Sequence, residues 1–137
     1  MDQRDIYPPE LILMSDNKSN KEVNYLDLNL KIVNKNLYYK LYDKRDSFTF
    51  PIVNFHNLSG NIPTVHSYSV FKSQLVRYAR NCQKLEDFKH NVLKLVGKLL
   101  GQHFRLAKLK CTYLKFLQKY TSLLRKFDGF TWKWDIL

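Results

Sequence analysis

The sequence predicts an α+β fold: a small antiparallel β-hairpin sheet followed by a three-helix bundle. The first observation behind it is "YLDLNLKI", residues 25–32. Leu26, Leu28, Leu30 and Ile32 fall on one side and Tyr25, Asp27, Asn29 and Lys31 on the other, the period of two expected of a half-buried strand. The second is a change of period at Ser67, after which apolar residues recur every three to four positions, as on amphipathic helices. The third is the stretch between them, "DKRDSFTFPIVNFHNLSGNIPTVHS", where Pro51, Pro63 and a Ser-Gly-Asn cluster interrupt either pattern. Residues 1–66 therefore read as a β region and residues 67–137 as a helical region. At 137 residues the chain is long enough for one domain with a real core and too short for two well-packed ones.

In "IYPPELILMSDNKSN" the Pro pair imposes an extended start, "ELILM" reads as a short strand, and "SDNKSN" reads as a loop in which Asp16 and Asn17 can bond their own backbone. Residues 23–42 form the hairpin: one strand through Ile32, the connection "NKN" with two Asn suited to positive φ, and the partner strand "LYYKLY". This register puts Leu26, Leu28, Leu30 and Ile32 in the core and Asp27 mid-strand on the polar face. In the crossing segment, Phe48, Phe50 and Phe55 are spaced to anchor the chain on the core. Three helical stripes follow. Tyr68, Phe71, Leu75, Tyr78, Ala79 and Cys82 share one face; Leu85, Phe88, Val92, Leu95, Val96 and Leu99 a second; Leu106, Leu109, Tyr113, Phe116, Tyr120, Leu123 and Phe127 a third. Breaks at 81–84 and at Gly101 separate the helices, and the third is expected to run past Tyr120 toward Gly129.

The net charge of +11 is unevenly spread. Residues 1–69 hold eight Lys/Arg against eight Asp/Glu, whereas residues 70–137 hold fifteen against four. The cations lie opposite the apolar stripes: Arg77, Arg80 and Lys84 at i, i+3, i+7; Lys94 and Lys98 at i, i+4; Lys108, Lys115, Lys119 and Lys126 at intervals of seven, four and seven. Like charges so placed cost a few tenths of a kcal/mol per pair in an isolated helix, a penalty that a phosphate backbone reverses. These nine residues are the candidate nucleic-acid contacts, and a polyanion is the partner the charge asks for.

No catalytic constellation stands beside them. His56, His66, His90 and His103 are scattered, and "GKLLGQ" lacks both the Lys-Ser/Thr and the preceding strand of a phosphate-binding loop. Asp27 and the "DKRD" cluster fall short of the several carboxylates that two-metal phosphoryl chemistry needs, so no catalytic or metal residue and no cofactor is assigned. Cys82 and Cys111 have no CxxC or His partner at ligand spacing and read as reduced helix residues. No apolar run approaches the ~20 residues of a membrane-spanning helix, and "MDQRDIYPPE" is not built like a signal peptide, so an intracellular protein, cytoplasmic or nuclear, is expected.

The ordered set "NYLDLNLKI", "LYYKLYDKRDSFTFPIVNF", "GNIP", "YSVFKSQLVRYAR", "LLGQHFRLAKLK" and "FLQKY" resembles the region downstream of the catalytic palm motifs in reverse transcriptases of Penelope-like and related metazoan retroelements. The resemblance covers about residues 6–127. It implies that residues 25–42 correspond to the primer-grip hairpin at the palm edge and residues 67–127 to a three-helix thumb, with RNA/DNA duplex and the rest of the polymerase as partners. The aromatic-x-Asp-Asp strand that holds the Mg²⁺ ions in that family is missing, since no Asp-Asp pair occurs here. A truncated C-terminal fragment that contacts primer–template without polymerising alone is the expectation, with a free-standing basic nucleic-acid-binding module as the alternative and a small hydrolase as a third reading.

Overall fold

The computed structural model describes residues 8–11, 19–50, 52 and 54–127. Three antiparallel strands in the order β1 (Glu22–Tyr25), β2 (Leu28–Val33) and β3 (Asn36–Leu41) precede three long helices, α1 (Thr64–Asn81), α2 (Leu85–Gly101) and α3 (Leu106–Lys119), and a single turn, α4 (Thr121–Leu124). The α+β architecture is as the patterning predicts. Of the expected strand at "ELILM" only Glu10 and Leu11 are described, and there Leu11 N closes a turn onto Pro8 O at 2.9 Å; most of the loop after it and everything from residue 128 onward fall outside the described residues.

The first predicted strand is in fact two. It breaks at Leu26–Asp27, a two-residue turn that sets Tyr25 opposite Leu28 and carries positive φ at Leu26 (51°). Asp27 is therefore a turn residue, not a mid-strand one. The second turn joins β2 to β3 through Asn34 (φ 48°) and Lys35 (φ 65°), the paired left-handed conformation of a type I′ hairpin, and Val33 faces Asn36 across it. Asn36, the second Asn of the expected "NKN" connection, has already joined the strand.

The buried face of the hairpin is also corrected. Of the four residues expected in the core, Leu28 and Leu30 are half-buried, Leu26 and Ile32 are 81% and 50% exposed, and Leu37 opposite Ile32 is 58% exposed, while Asn29, on the nominally polar side, is buried. Its amide donates to Glu22 Oε1 at 3.0 Å and Asn24 Oδ1 at 2.7 Å, which satisfies it there. The physical reason is that the sheet meets the helices along β3 instead of lying flat on them. The Tyr38 hydroxyl bonds Asp87 of α2, Tyr39 N donates to Gln83 Oε1 at 3.1 Å, and Leu41 packs on the helical core, while the Ile32–Leu37 end of the sheet stays in solvent.

Every fully buried hydrophobic side chain among the described residues lies between Tyr68 and Phe127. The stripes of α1 and α2 are buried as patterned, with Tyr78 only partly so, while on α3 Leu106 is solvent-facing and Leu117 takes a core place. Helix α1 packs against α2, α3, α4 and β3 and is the hub of the molecule. Helix α2 ends where Gly101 suggests, but the left-handed residue is His103 (φ 64°). Phe104 N bonds Leu99 O and His103 N bonds Leu100 O, both at 3.1 Å, a Schellman closure that turns Phe104 into the core. Helix α3 stops at Lys119, and Tyr120 caps it instead of continuing it.

The crossing segment is irregular apart from a 3₁₀ turn at Lys44–Ser47. Of its three aromatic anchors only Phe55 packs on the core; Phe48 and Phe50 are exposed and rest on one another, ring centroids 5.3 Å apart. His56 and Leu58 supply further ties, Leu58 by packing on the core and by its N–H on Gln102 O at 2.9 Å, His56 by its ring. The His56 Nε2 lies 2.6 Å from the hydroxyl of Ser67, a buried residue in the first turn of α1, and the ring is 5.9 Å from Phe104.

Candidate nucleic-acid interface

The cations selected from the sequence do not form one face; packing sorts them into four places. Arg77 and Arg80 lie on the outer side of α1, in a groove of about 510 Å³ that also takes Lys72, Ser69, Ser73 and Tyr120 into its lining. Lys84 falls after the end of α1, so the expected i, i+3, i+7 row is interrupted at Cys82, whose N–H bonds Tyr78 O at 3.0 Å. It sits instead 4.7 Å above the ring of Tyr38 on β3. Lys126 joins it at that junction: its ammonium donates to Arg80 O at 3.2 Å and lies 6.0 Å from the ring of Tyr39. Burial lowers the pKa of Lys126 below the ordinary lysine value, which fits a strut between chain segments better than a phosphate contact.

Lys94 and Lys98 project from α2 toward the crossing segment. With Arg45, Phe48 and Phe50 they line a cleft of about 320 Å³, and Lys94 is ion-paired to Asp46. Arg45 grips Asp43 with two bonds of 2.7 and 2.8 Å, and this guanidinium holds the Asp43 carboxyl below the usual carboxylate range. Lys108, Lys115 and Lys119 stay on one exposed stripe of α3, which Lys126, the fourth member of the expected row, leaves for the Tyr39 junction. Lys108 rests 5.7 Å from the ring of Tyr68.

The α1 groove and the α3 stripe meet at Tyr120. Lys72 from α1 and Lys119 from α3 stand 6.0 and 5.8 Å from its ring centroid, and Phe116 stacks against it at 5.4 Å. Sequence patterning missed Lys72, and it placed Tyr120 in the core stripe, where it is only half-buried. The available signal was its position one residue beyond a Lys-capped helix end.

Electrostatically the groove is nearly one-signed. Among the described residues its only carboxylate neighbour is Asp27, whose Oδ2 accepts from Arg77 Nη2 at 2.9 Å. The carboxylate that opens the question of catalysis is thus the partner of an arginine, and it pins the β1–β2 turn to α1. Among the described residues no three His, Cys, Asp or Glu side chains gather as a metal site would require, and no helix is long and apolar enough to cross a membrane. The arrangement can bind anions and stack a planar group. No protein-family model, curated protein or solved structure matches the chain.

Proposed function

We propose that this chain is the C-terminal part of a retroelement reverse transcriptase, a palm-edge sheet with a primer-grip hairpin followed by a thumb-like bundle, which holds primer–template duplex by its phosphates and does not polymerise alone. One observation carries the binding half of this reading: among the described residues, acidic side chains engage only Arg77 and Lys94 of the nine selected cations. Arg80, Lys98, Lys108, Lys115 and Lys119 remain without a carboxylate within ion-pair distance among those residues, and an external polyanion supplies the missing countercharge. The motif resemblance carries the polymerase half, and the exposed apolar end of the sheet, with Ile32 and Leu37 in solvent, supports it, since a palm would cover that end. In that setting the Mg²⁺ ions and their carboxylates belong to the rest of the polymerase, in the cytoplasm or nucleus.

The alternative, a free-standing basic module, has one observation in its favour: the helices bury a core of their own. An in-frame aromatic-x-Asp-Asp strand encoded upstream decides for the polymerase. Phosphate binding itself is tested by the salt dependence of affinity for a duplex. Replacing Lys108, Lys115 and Lys119 by Gln should reduce the slope of log K against log salt by about 0.9 per lost contact. Replacing Lys18, Lys21 and Lys35 should change it far less, and equal losses from the two triple variants refute the helical surface.

A further inference from the structure

Resting on that phosphate-binding reading, we infer that the groove between the outer side of α1 and Tyr120 is a site for one unpaired nucleotide of a single strand. The base lies on the Tyr120 ring and the flanking phosphates lie between Lys72 and Arg80.

Four features of the groove point to this ligand. Its volume of about 510 Å³ lies in the range of small-molecule sites and exceeds what a bare phosphate needs. Its charge is cationic, and Asp27 already occupies one edge of Arg77, which leaves Lys72 and Arg80 as the two groups able to turn fully to phosphate. Its aromatic ring, Tyr120, is backed by Phe116 and so held in place from behind, and Lys72 and Lys119 are the cations near it among the described residues. Displacing a flexible lysine from a half-exposed ring forfeits about two- to fivefold in binding, whereas base stacking on an aromatic returns roughly fivefold to a hundredfold, so the exchange favours the base.

The serines refine the ligand further. The Ser69 hydroxyl donates to Val65 O and the Ser73 hydroxyl to Val70 O, both at 2.9 Å. In this arrangement the two oxygens present lone pairs to the groove, which suits the donor edges of a base and the sugar hydroxyls of a nucleotide. A duplex offers phosphates to the same cations but keeps its bases stacked, so it cannot use the ring.

The test compares a labelled single strand of about twelve nucleotides, a length within the usual single-strand site sizes, with a blunt duplex of the same length, by anisotropy on the full chain. Tyr120→Leu should weaken the strand at least about fivefold and the duplex less than about twofold, and Tyr120→Phe should leave both unchanged. Arg80→Gln, at an exposed position, should weaken both. Ser73→Leu, on the exposed side of α1, obstructs the groove without touching the core and should reproduce the strand-selective loss, so the inference stays testable if Tyr120→Leu fails to fold. Equal losses of strand and duplex in Tyr120→Leu or Ser73→Leu, or no loss of strand in either, overturn the nucleotide site while duplex binding stands. Binding of neither probe overturns the phosphate-binding reading and this site with it.

Discussion

Replacing Asp27 by Asn should loosen the fold slightly and tighten polyanion binding, two effects of opposite sign from one lost charge. The Asp27–Arg77 pair spans 2.9 Å, with the carboxylate 58% and the guanidinium 34% exposed. Pairs this wet contribute about 0.2–1 kcal/mol, so Asp27→Asn should lower the melting temperature by roughly 1–4 °C, less at high salt. On the binding side the same carboxylate repels any phosphate brought to Arg77. At about 6 Å in a water-like dielectric that repulsion is about 0.7 kcal/mol, and it grows as the site is desolvated. Its removal should therefore improve affinity for a single strand or a duplex about threefold to tenfold at low salt, with the gain shrinking once the Debye length falls below the separation.

The assay is a thermal melt and an anisotropy titration on wild type, Asp27→Asn, Arg77→Gln and the double variant. Arg77→Gln should weaken binding, and Asp27→Asn should have a smaller effect on binding once Arg77 is gone, because no phosphate is then held close to the carboxylate. Weaker binding by Asp27→Asn in the presence of Arg77 would refute the reasoning and make the aspartate a direct or orienting contact. A loss of several kcal/mol of stability would show that the pair is buried in a way the exposures deny.

Phe88→Ala, at the centre of the helical core, should cost about 3–5 kcal/mol in denaturant unfolding, whereas Ile32→Asp at the exposed end of the sheet should cost under about 1 kcal/mol; a large effect at Ile32 means something covers that end in solution. Leu26→Gly should raise stability by about 1 kcal/mol, since Leu26 holds a left-handed φ of 51° while its side chain is 81% exposed, and a loss at this position argues against the turn. Burial pushes the Tyr78 hydroxyl up to about 12, with Arg77 opposing the shift, so its contribution to stability is complete below the unfolded tyrosine value of 10.0 and lost as pH rises through about 12. Tyr78→Phe should flatten that alkaline limb of a stability–pH curve, and an unchanged limb places the titrating group elsewhere.

The helical half was legible because each stripe is a one-helix property: Phe71, Leu75 and Ala79, or Phe88, Val92 and Leu95, reach the core by period alone. The sheet was misread at one dipeptide. A two-residue turn conserves the alternation of the strands on either side of it, so Leu26 continued the apolar phase in the sequence while standing outside the ladder in space. Neither Gly nor Asn marks the first turn position, and the strain of a left-handed leucine has no sequence signature. The burial of Asn29 while Leu28 and Leu30 stay half-buried was equally out of reach, because it depends on the sheet joining the bundle by the β3 edge through Tyr38, Tyr39 and Leu41.

The site shows the same division between what one element specifies and what packing decides. Sorting cations helix by helix finds Lys108, Lys115 and Lys119, which one helix suffices to align, but it cannot find a groove shared by Lys72 on α1 and Tyr120 beyond α3. It also cannot see the use made of the neutral half. The eight acids of residues 1–69 balance eight cations in the count, yet Asp27 and Asp46 spend their charge on Arg77 and Lys94 of the helices. Those carboxylates tie the β1–β2 turn and the crossing segment to α1 and α2 and partly neutralise two cations of the binding surface in doing so. The basic surface left for a polyanion is consequently the one no acid of the described residues reaches, from Arg80 and Lys72 across Tyr120 to the α3 stripe. The neutral half both holds the helices in register and sets where that surface begins.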